Sequence, residues 1–339
     1  MGSNSTTPHN LHILFFPYMA PGHVLPMLDM TKLFALHGVR TTFVTTPANA
    51  PLVQPTINRA NSANPTAPPI KLTLIPFPSA EVGLPSGCEN AQSLESLDMR
   101  SNFYKAVMML RQPFDQVLKE LQPDAIVTDL FLPWTFDAAS EFGIPRLVFN
   151  GTSFFAMCAW HSVEEYNPHE KPEESFTVPG LPHRIHMLKS QFPNYQKTNP
   201  SIIEVMRAVK ESDAKSYGAV MNSFYELEPE YVDHYRNVMG RRAWLLVDVL
   251  KIGVGIGVKE FGTGQQFAVG TEKVMALVRG EDIEKAVARL MNAGEEAEEM
   301  RRRARELRES AKMALEKGGS SSLGICNLIR ELTEKQRPI

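Results

Sequence analysis

The sequence predicts an α/β protein built on a doubly wound parallel sheet, and three observations predict it. Short apolar runs at residues 11–16, 39–44, 70–75, 125–128, 146–149 and 218–222 have the length and composition of buried strands. Between most of them lie stretches with helical spacing of apolar residues, so the order is β-α-β-α. Glycines punctuate the pattern where helices should stop, as at Gly38 and Gly143.

In order, residues 11–16 form a first strand and 27–36 a first helix, closed by Gly38. A β-branched strand at 39–44 follows and ends at Thr45-Thr46-Pro47. Residues 51–69, rich in Pro, Asn, Ala and Thr, read as helix fragments and loop. The third strand, 70–75, leads into an irregular stretch at 76–88. Residues 93–121 are helical, with Pro113 starting a new helix. A short buried strand at 125–128, a helix at 133–142 and a strand at 146–149 continue the alternation. The Pro-rich, polar segment 166–200 reads as a surface excursion, before a helix at 201–214 and a strand at 218–222.

Beyond Trp244 the character changes. Residues 251–258 alternate Gly with Ile and Val; they lack the G-x-G-x-x-G spacing of a dinucleotide site and read as a glycine-rich strand. Residues 281–291 and 295–317 are helical and dense in Glu, Arg and Lys, a solvated face laced with i,i+4 pairs. Gly318-Gly319 breaks that helix, and Ser320 or Ser321 is placed to cap a last one through Leu332. No full set of strands follows residue 245. The chain therefore divides into a complete sheet domain at 1–245 and a smaller remainder at 246–339.

With 339 residues, 43% of them apolar, the chain can bury a sizeable core. A net charge of −3 carries no electrostatic footprint for nucleic acid. Cys88, Cys158 and Cys326 are widely spaced and odd in number, as expected of reduced thiols in a cytoplasmic protein. The polar start has no signal-peptide pattern, and no apolar run approaches the ~20 residues that span a bilayer, so no integral membrane association is expected.

The chemistry centres on His23, which directly follows the first strand-like run. In an open α/β sheet that position faces the ligand crevice, where an imidazole can act as a general base near neutral pH. Asp129, at the carboxyl end of another buried strand, reaches the same rim and could fix the tautomer and balance the imidazolium. A satisfied turn histidine and a helix-capping aspartate are the alternative. Gly22 would let backbone approach a ligand phosphate at the next helix start, a single-residue signal. His183 and His186 lack a third ligand nearby and read as loop histidines, as do His161 and His169; no metal is expected. Asp29, in the first helix, is expected to pair or cap. No G-x-S-x-G, P-loop, H-E-x-x-H or paired-carboxylate pattern occurs, which disfavours serine hydrolysis, phosphoryl transfer and zinc hydrolysis. Pro21-Gly22-His23 in the first turn, in place of a glycine-rich fingerprint, disfavours a Rossmann oxidoreductase.

These stretches closely resemble a plant family 1 UDP-glycosyltransferase of the flavonoid or phenolic O-glucosyltransferase type. The resemblance rests on the first strand with Pro17-Tyr18-Met19-Ala20-Pro21-Gly22-His23, on Leu28-Asp29-Met30-Thr31-Lys32-Leu33-Phe34 and on Thr45-Thr46-Pro47. It continues through Asp129-Leu130-Phe131-Leu132-Pro133-Trp134, Gly143-Ile144-Pro145-Arg146-Leu147-Val148-Phe149 and Gly151-Thr152-Ser153-Phe154-Phe155. It ends at Asn222-Ser223-Phe224-Tyr225-Glu226-Leu227-Glu228 and covers residues 11 to about 245. The resemblance implies the GT-B fold, two facing Rossmann-like domains, with acceptor held by the first and sugar nucleotide by the second. It implies that His23 deprotonates the acceptor hydroxyl, that Asp129 orients it, and that the sugar is transferred with inversion. It implies UDP-sugar as co-substrate, no further cofactor and no metal. Met19, Asn150, Thr152 and Phe154 carry over as pocket-lining positions.

The departure is as specific as the match. After Ala243-Trp244-Leu245 the family continues into a linker and a second domain with a His-Cys-Gly-Trp-Asn-Ser core, none of which occurs here. The next family-like stretch is already Val249-Leu250-Lys251-Ile252-Gly253-Val254-Gly255, from near the end of that domain. The chain thus resembles a family member with the donor-binding signature deleted, leaving an incomplete C-terminal domain. Lacking sheet neighbours, the 249–258 strand would expose an edge available for self-association. The last helix would cross back onto the first domain.

Overall fold

The computed structural model describes residues 11–170, 173–189, 200–245, 284, 288 and 294–335. The expected strand at 249–258, and the self-association that would follow from its edge, lie outside the described residues, as does most of 281–291.

The first strand, β1 (His12–Phe16), passes through a short turn into α1 (Pro21–Leu36). Then come β2 (Arg40–Thr45), α2 (Ala50–Ala63), β3 (Lys71–Leu74), α3 (Leu97–Met109), α4 (Arg111–Leu121) and β4 (Ala125–Asp129). The chain continues through α5 (Thr135–Glu141), β5 (Arg146–Asn150), α6 (Phe154–Tyr166), a hairpin of β6 (Ser175–Val178) and β7 (Ile185–Leu188), and α7 (Pro200–Lys215). Last come β8 (Gly218–Met221), α8 (Pro229–Asp233) extended by a π-type turn, β9 (Ala243–Leu245), α9 (Glu295–Leu315) and α10 (Ser320–Lys335).

The main sheet has seven parallel strands in the order β3-β2-β1-β4-β5-β8-β9. The doubly wound expectation is met, and the order reverses between β1 and β4. That switch point is where open α/β sheets hold ligands, beyond the carboxyl ends of their strands.

Because strand side chains alternate, each strand feeds two cores. Ile13, Phe15, Val127, Phe149, Val220 and Trp244 point to one face, which α1, α2 and α10 cover. Leu14, Phe16 and Ile126 point to the other face, against α3, α4 and α5. On that same face Val148, Ala219 and Met221 meet α6, α7 and α8.

Several local readings change. The first helix begins at Pro21, not Met27, because proline at the first helical position is pre-set for helix and has no N–H to leave unpaired. Residues 50–63 form one continuous helix that anchors Val53 and Ile57 in the core; burial overrides its poor composition. The 166–200 excursion contains the β6–β7 hairpin, whose Phe176 and Val178 pack on Val163 of α6. Helix α6 itself, not anticipated, starts at a Ser153 cap.

The last helix does cross back onto the sheet domain: Ile325, Leu328 and Leu332 of α10 join the core that includes Phe15 and Trp244. Ser320 does not cap α10; its hydroxyl donates to Glu226 at 2.8 Å, and the Ser321 hydroxyl is buried with no partner among the described residues. Two glycines make these approaches feasible. A Cβ on Gly218 would lie 2.6 Å from the Trp244 ring, and one on Gly319 would lie 2.0 Å from the Met313 carbonyl oxygen. Arg242 ties the edge together, its guanidinium 4.2 Å from the centroid of the Tyr217 ring and ion-paired with Glu331 of α10.

Leu328→Ala should therefore cost about 2–5 kcal/mol, the usual range for emptying a fully buried aliphatic site. Urea unfolding followed by circular dichroism would measure it, and a loss below about 1 kcal/mol would show that α10 is not integral to the core.

Candidate active site

The register decides the site. Phe16 of β1 lies opposite Thr128 of β4, so the residues just beyond these strands emerge side by side at the switch point. His23 and Asp129, 106 residues apart in sequence, meet there: His23 Nδ1 lies 2.8 Å from Asp129 Oδ2. His23 is not in the turn before α1, as its sequence context suggested, but in the first helical turn, two residues after Pro21. Helical geometry thereby turns the imidazole back toward β4.

Asp129 is held from three sides. Its Oδ1 accepts from the Phe131 backbone N–H at 3.0 Å, and its Oδ2 faces His23. Its backbone carbonyl accepts from Leu132 N–H and from Arg146 Nη2, each at 3.0 Å. The Asp129 side chain is 1% exposed and the His23 side chain 19% exposed, so the carboxylate is sealed while the imidazole keeps access to the crevice. Tyr18 and Phe131 flank the imidazole with ring centroids at 5.6 and 5.8 Å. Burial works against the imidazolium, but the charge and the hydrogen bond of Asp129 outweigh it and raise the His23 pKa above its ordinary value. Burial first, then the charge of Asp129, pushes the Tyr18 hydroxyl well above the phenol range.

The other expected site residues are distributed unevenly. Gly22 is exposed in the first turn of α1, with nothing within 4 Å of an added Cβ, so no packing requirement selects glycine there. Met19 has its side chain in the core, while its carbonyl accepts from Ala91 N–H at 2.8 Å. Asn150 ends β5; its Oδ1 accepts from Thr152 N–H at 3.0 Å and from Thr152 Oγ1 at 2.8 Å, shaping an exposed rim at Thr152. Phe154 belongs to the core and not to a crevice wall: it is fully buried, its ring 5.2 Å from that of Tyr235. As the first residue of α6 it packs in the core with Val148 of β5 and Met221 of β8.

Two functional supports were missed in the sequence. Glu228 reaches across to the start of α6, accepting from Phe154 N–H at 3.0 Å and Phe155 N–H at 2.8 Å, and from Ser223 Oγ at 2.6 Å. Arg146, fully buried, holds the turn after β4. Glu228 acts across 74 residues and Arg146 across 17, separations that local pattern does not reveal. His183 and His186 do not converge: the first contacts the Tyr231 hydroxyl at 3.3 Å and the second, in β7, the Thr177 hydroxyl at 3.0 Å. Among the described residues no group of three potential ligands could hold a metal, and no helix is long and apolar enough to cross a membrane. Asp29 pairs with Lys32, as expected of it. All three cysteines are free.

The comparisons with known proteins bear on this geometry. The scopoletin glucosyltransferase of Nicotiana tabacum is 45% identical over 241 residues, which are 70% of this chain and 50% of that protein. The UDP-glucose flavonoid 3-O-glucosyltransferase 7 of Fragaria ananassa is 44% identical over 247 residues, 72% of this chain and 49% of that one. Among solved structures, UGT73P12 of Glycyrrhiza uralensis, complexed with glycyrrhetinic acid 3-O-monoglucuronide, superposes with a TM-score of 0.83 at 27% identity, covering 96% of each chain. The chain belongs to the plant UDP-glycosyltransferases. Its fold is accordingly of the GT-B type, with the seven-stranded sheet as the N-terminal domain. No protein-family model matches this UDP-glycosyltransferase chain. It spans about half the length of the curated relatives that it matches.

The His23–Asp129 pair has a consequence for stability. Because the His23 pKa is raised on folding, the pair's contribution is fully present below the unfolded histidine pKa of about 6.5 and is lost as pH rises through the folded value. Urea midpoints measured from pH 5 to pH 9 should therefore fall across this window, and the His23→Gln protein should lack that component of the slope.

Proposed function

We propose that this chain carries the acceptor-binding, base-bearing half of an inverting UDP-sugar-dependent O-glycosyltransferase, of the glucosyl type, for small phenolic or flavonoid-like hydroxyls. One observation carries the reading: a 2.8 Å imidazole–carboxylate pair at the switch point of a doubly wound parallel sheet. With Nδ1 engaged by Asp129, Nε2 is left to take the proton of an acceptor hydroxyl. The acceptor oxygen forms the bond to the anomeric carbon as the bond to the UDP oxygen breaks on the opposite face, and UDP leaves with the electron pair. Asp129 stabilises the imidazolium formed in that step. The elevated pKa is consistent with a base that accepts a proton readily, and neutral His23 is the competent form. Gly22, in the first turn of α1, offers a backbone N–H to a diphosphate, and Asn150 and Thr152 shape the acceptor side. UDP-sugar enters as co-substrate, with no cofactor and no metal in this scheme, and a cytoplasmic setting fits it.

A second reading is favoured by one fact: the chain spans about half of the relatives' length, and the missing part includes the donor signature. Without the donor contacts the reacting atoms lose their positioning, an effect worth roughly 7–11 kcal/mol in well-oriented systems. The chain then holds acceptors without turnover, alone or beside a full-length relative. Calorimetric titrations with a flavonol and with UDP-glucose, done separately, should show acceptor binding and little or no donor binding. Coupled detection of UDP release should show no turnover, and release that disappears in His23→Ala would establish the chain as a complete catalyst.

A further inference from the structure

We infer that Arg146 is a positioning residue for the His23–Asp129 pair, its guanidinium fork clamping the peptide that carries the Asp129 carboxylate. The inference rests on the reading of His23 as the base.

Arg146 is 2% exposed at the start of β5, the strand next to β4 on the side away from β1. A buried guanidinium is costly and is retained in folded proteins when its donors are satisfied. Here every acceptor is a neutral oxygen. Nε donates to Thr128 Oγ1 at 2.7 Å, and Nη1 to Ser216 Oγ at 3.0 Å and Ser212 Oγ at 3.4 Å. Nη2 donates to the Asp129 carbonyl at 3.0 Å and lies 3.5 Å from the Leu132 carbonyl. One side chain thus grips the residue before Asp129, the Asp129 peptide and the end of the turn that follows it.

The fork also anchors that turn from behind. Ser212 lies in α7 and Ser216 just beyond it, so the β4 terminus is tied to the helix that precedes β8. Thr128 Oγ1 meets Thr135 Oγ1 at 2.6 Å, and Thr135 Oγ1 donates to the Leu132 carbonyl at 2.6 Å. The Asp129 main chain therefore cannot shift away from His23 without breaking bonds in three elements. Burial pulls the Arg146 pKa down to about 10, and the charges of Asp213, Asp129 and Asp137 act against that fall, so the guanidinium stays protonated at neutral pH. A lysine would keep the charge but could not span these acceptors, since it lacks the planar fork.

Loss of the clamp and loss of the charge move His23 in opposite directions. If Asp129 drifts, the imidazolium loses its partner and the His23 midpoint falls. If only a nearby cation disappears, the imidazolium is less disfavoured and the midpoint rises. The other groups in play are Tyr18 beside the ring, Tyr104 of α3 near Tyr18, Glu204 of α7 near Tyr104, and Asp213 and Asp137 around Arg146. Asp213 is itself paired with Arg241. Substituting Arg146 by methionine takes a cation away from Asp213 and Asp137, whereas Arg146→Lys keeps it, so the lysine protein isolates the clamp from the charge.

The test is an NMR titration of the His23 ring in the full chain, with its resonance assigned by disappearance in His23→Gln. Asp129→Asn should lower the midpoint by about 1–3 units, setting the scale for a lost carboxylate. Arg146→Met and Arg146→Lys should both lower it, by less than Asp129→Asn, and neither should lower it further when combined with Asp129→Asn. Arg146→Lys is the gentler change and serves if the methionine protein does not fold. A folded Arg146→Lys protein whose His23 midpoint is unchanged or raised overturns the inference, whatever its melting temperature. A fall that persists undiminished in the Asp129→Asn background overturns it equally, because Arg146 would then act on His23 by another route. The readout is a proton on His23, so an absence of sugar transfer would leave this result standing.

Discussion

Parallel pairing of β1 with β4 is the constraint on which the rest depends. The pairing sets Phe16 opposite Thr128, and one residue further on Asp129 emerges at the rim above the first turn of α1. No local interaction could bring His23 and Asp129 within hydrogen-bond distance, because 106 residues separate them. A sheet register can, since a one-residue slip would turn every side chain of the strand to the opposite face. Such a slip would force Ile126 and Val127 to repack in each other's core and would separate Thr128 from Arg146 and Asp129 from His23. Core packing thereby specifies the geometry of the His23–Asp129 pair.

The same logic extends outward in layers. Arg146 and Thr128 fasten the end of β4, and Glu228 fastens the start of α6 beside the Asn150–Thr152 rim. Each uses a buried charged group whose hydrogen-bond partners are satisfied, which supplies directional rigidity where apolar packing supplies only contact. The crevice floor is thus built from polar clamps set into an apolar sheet. At the far edge, α10 covers Val220 and Trp244, and its Glu331 pairs with Arg242. A segment more than seventy residues beyond β9 in sequence is therefore part of the first domain's core.

Much of this was legible from residues alone, for identifiable reasons. Strands such as 11–16 and 125–128 announce themselves because both faces are buried and the run is continuously apolar. His23 and Asp129 were legible because each ends or follows such a run, and a parallel sheet delivers all carboxyl ends to one rim. Helix α2 was not, since Pro, Asn and Thr argue against helix until Val53 and Ile57 are seen to be buried. The helix of residues 27–36 starts earlier in the structure because Pro21 initiates α1 and Pro26 is accommodated within it. Phe154 is a pocket position by the family resemblance alone, yet the helix it begins turns its ring into the core.

Residue order alone establishes the strand–helix alternation, singles out His23 and Asp129, and carries the resemblance to the family without its donor signature. These depend on residue type and order, which periodicity and motif report directly. That His23 sits within the helix, that its Nδ1 faces Asp129, and that Arg146 and Glu228 hold the surrounding turns emerges from the folded chain alone. Those facts follow from strand register and from buried polar atoms finding partners across long stretches of chain, which one-dimensional order does not encode.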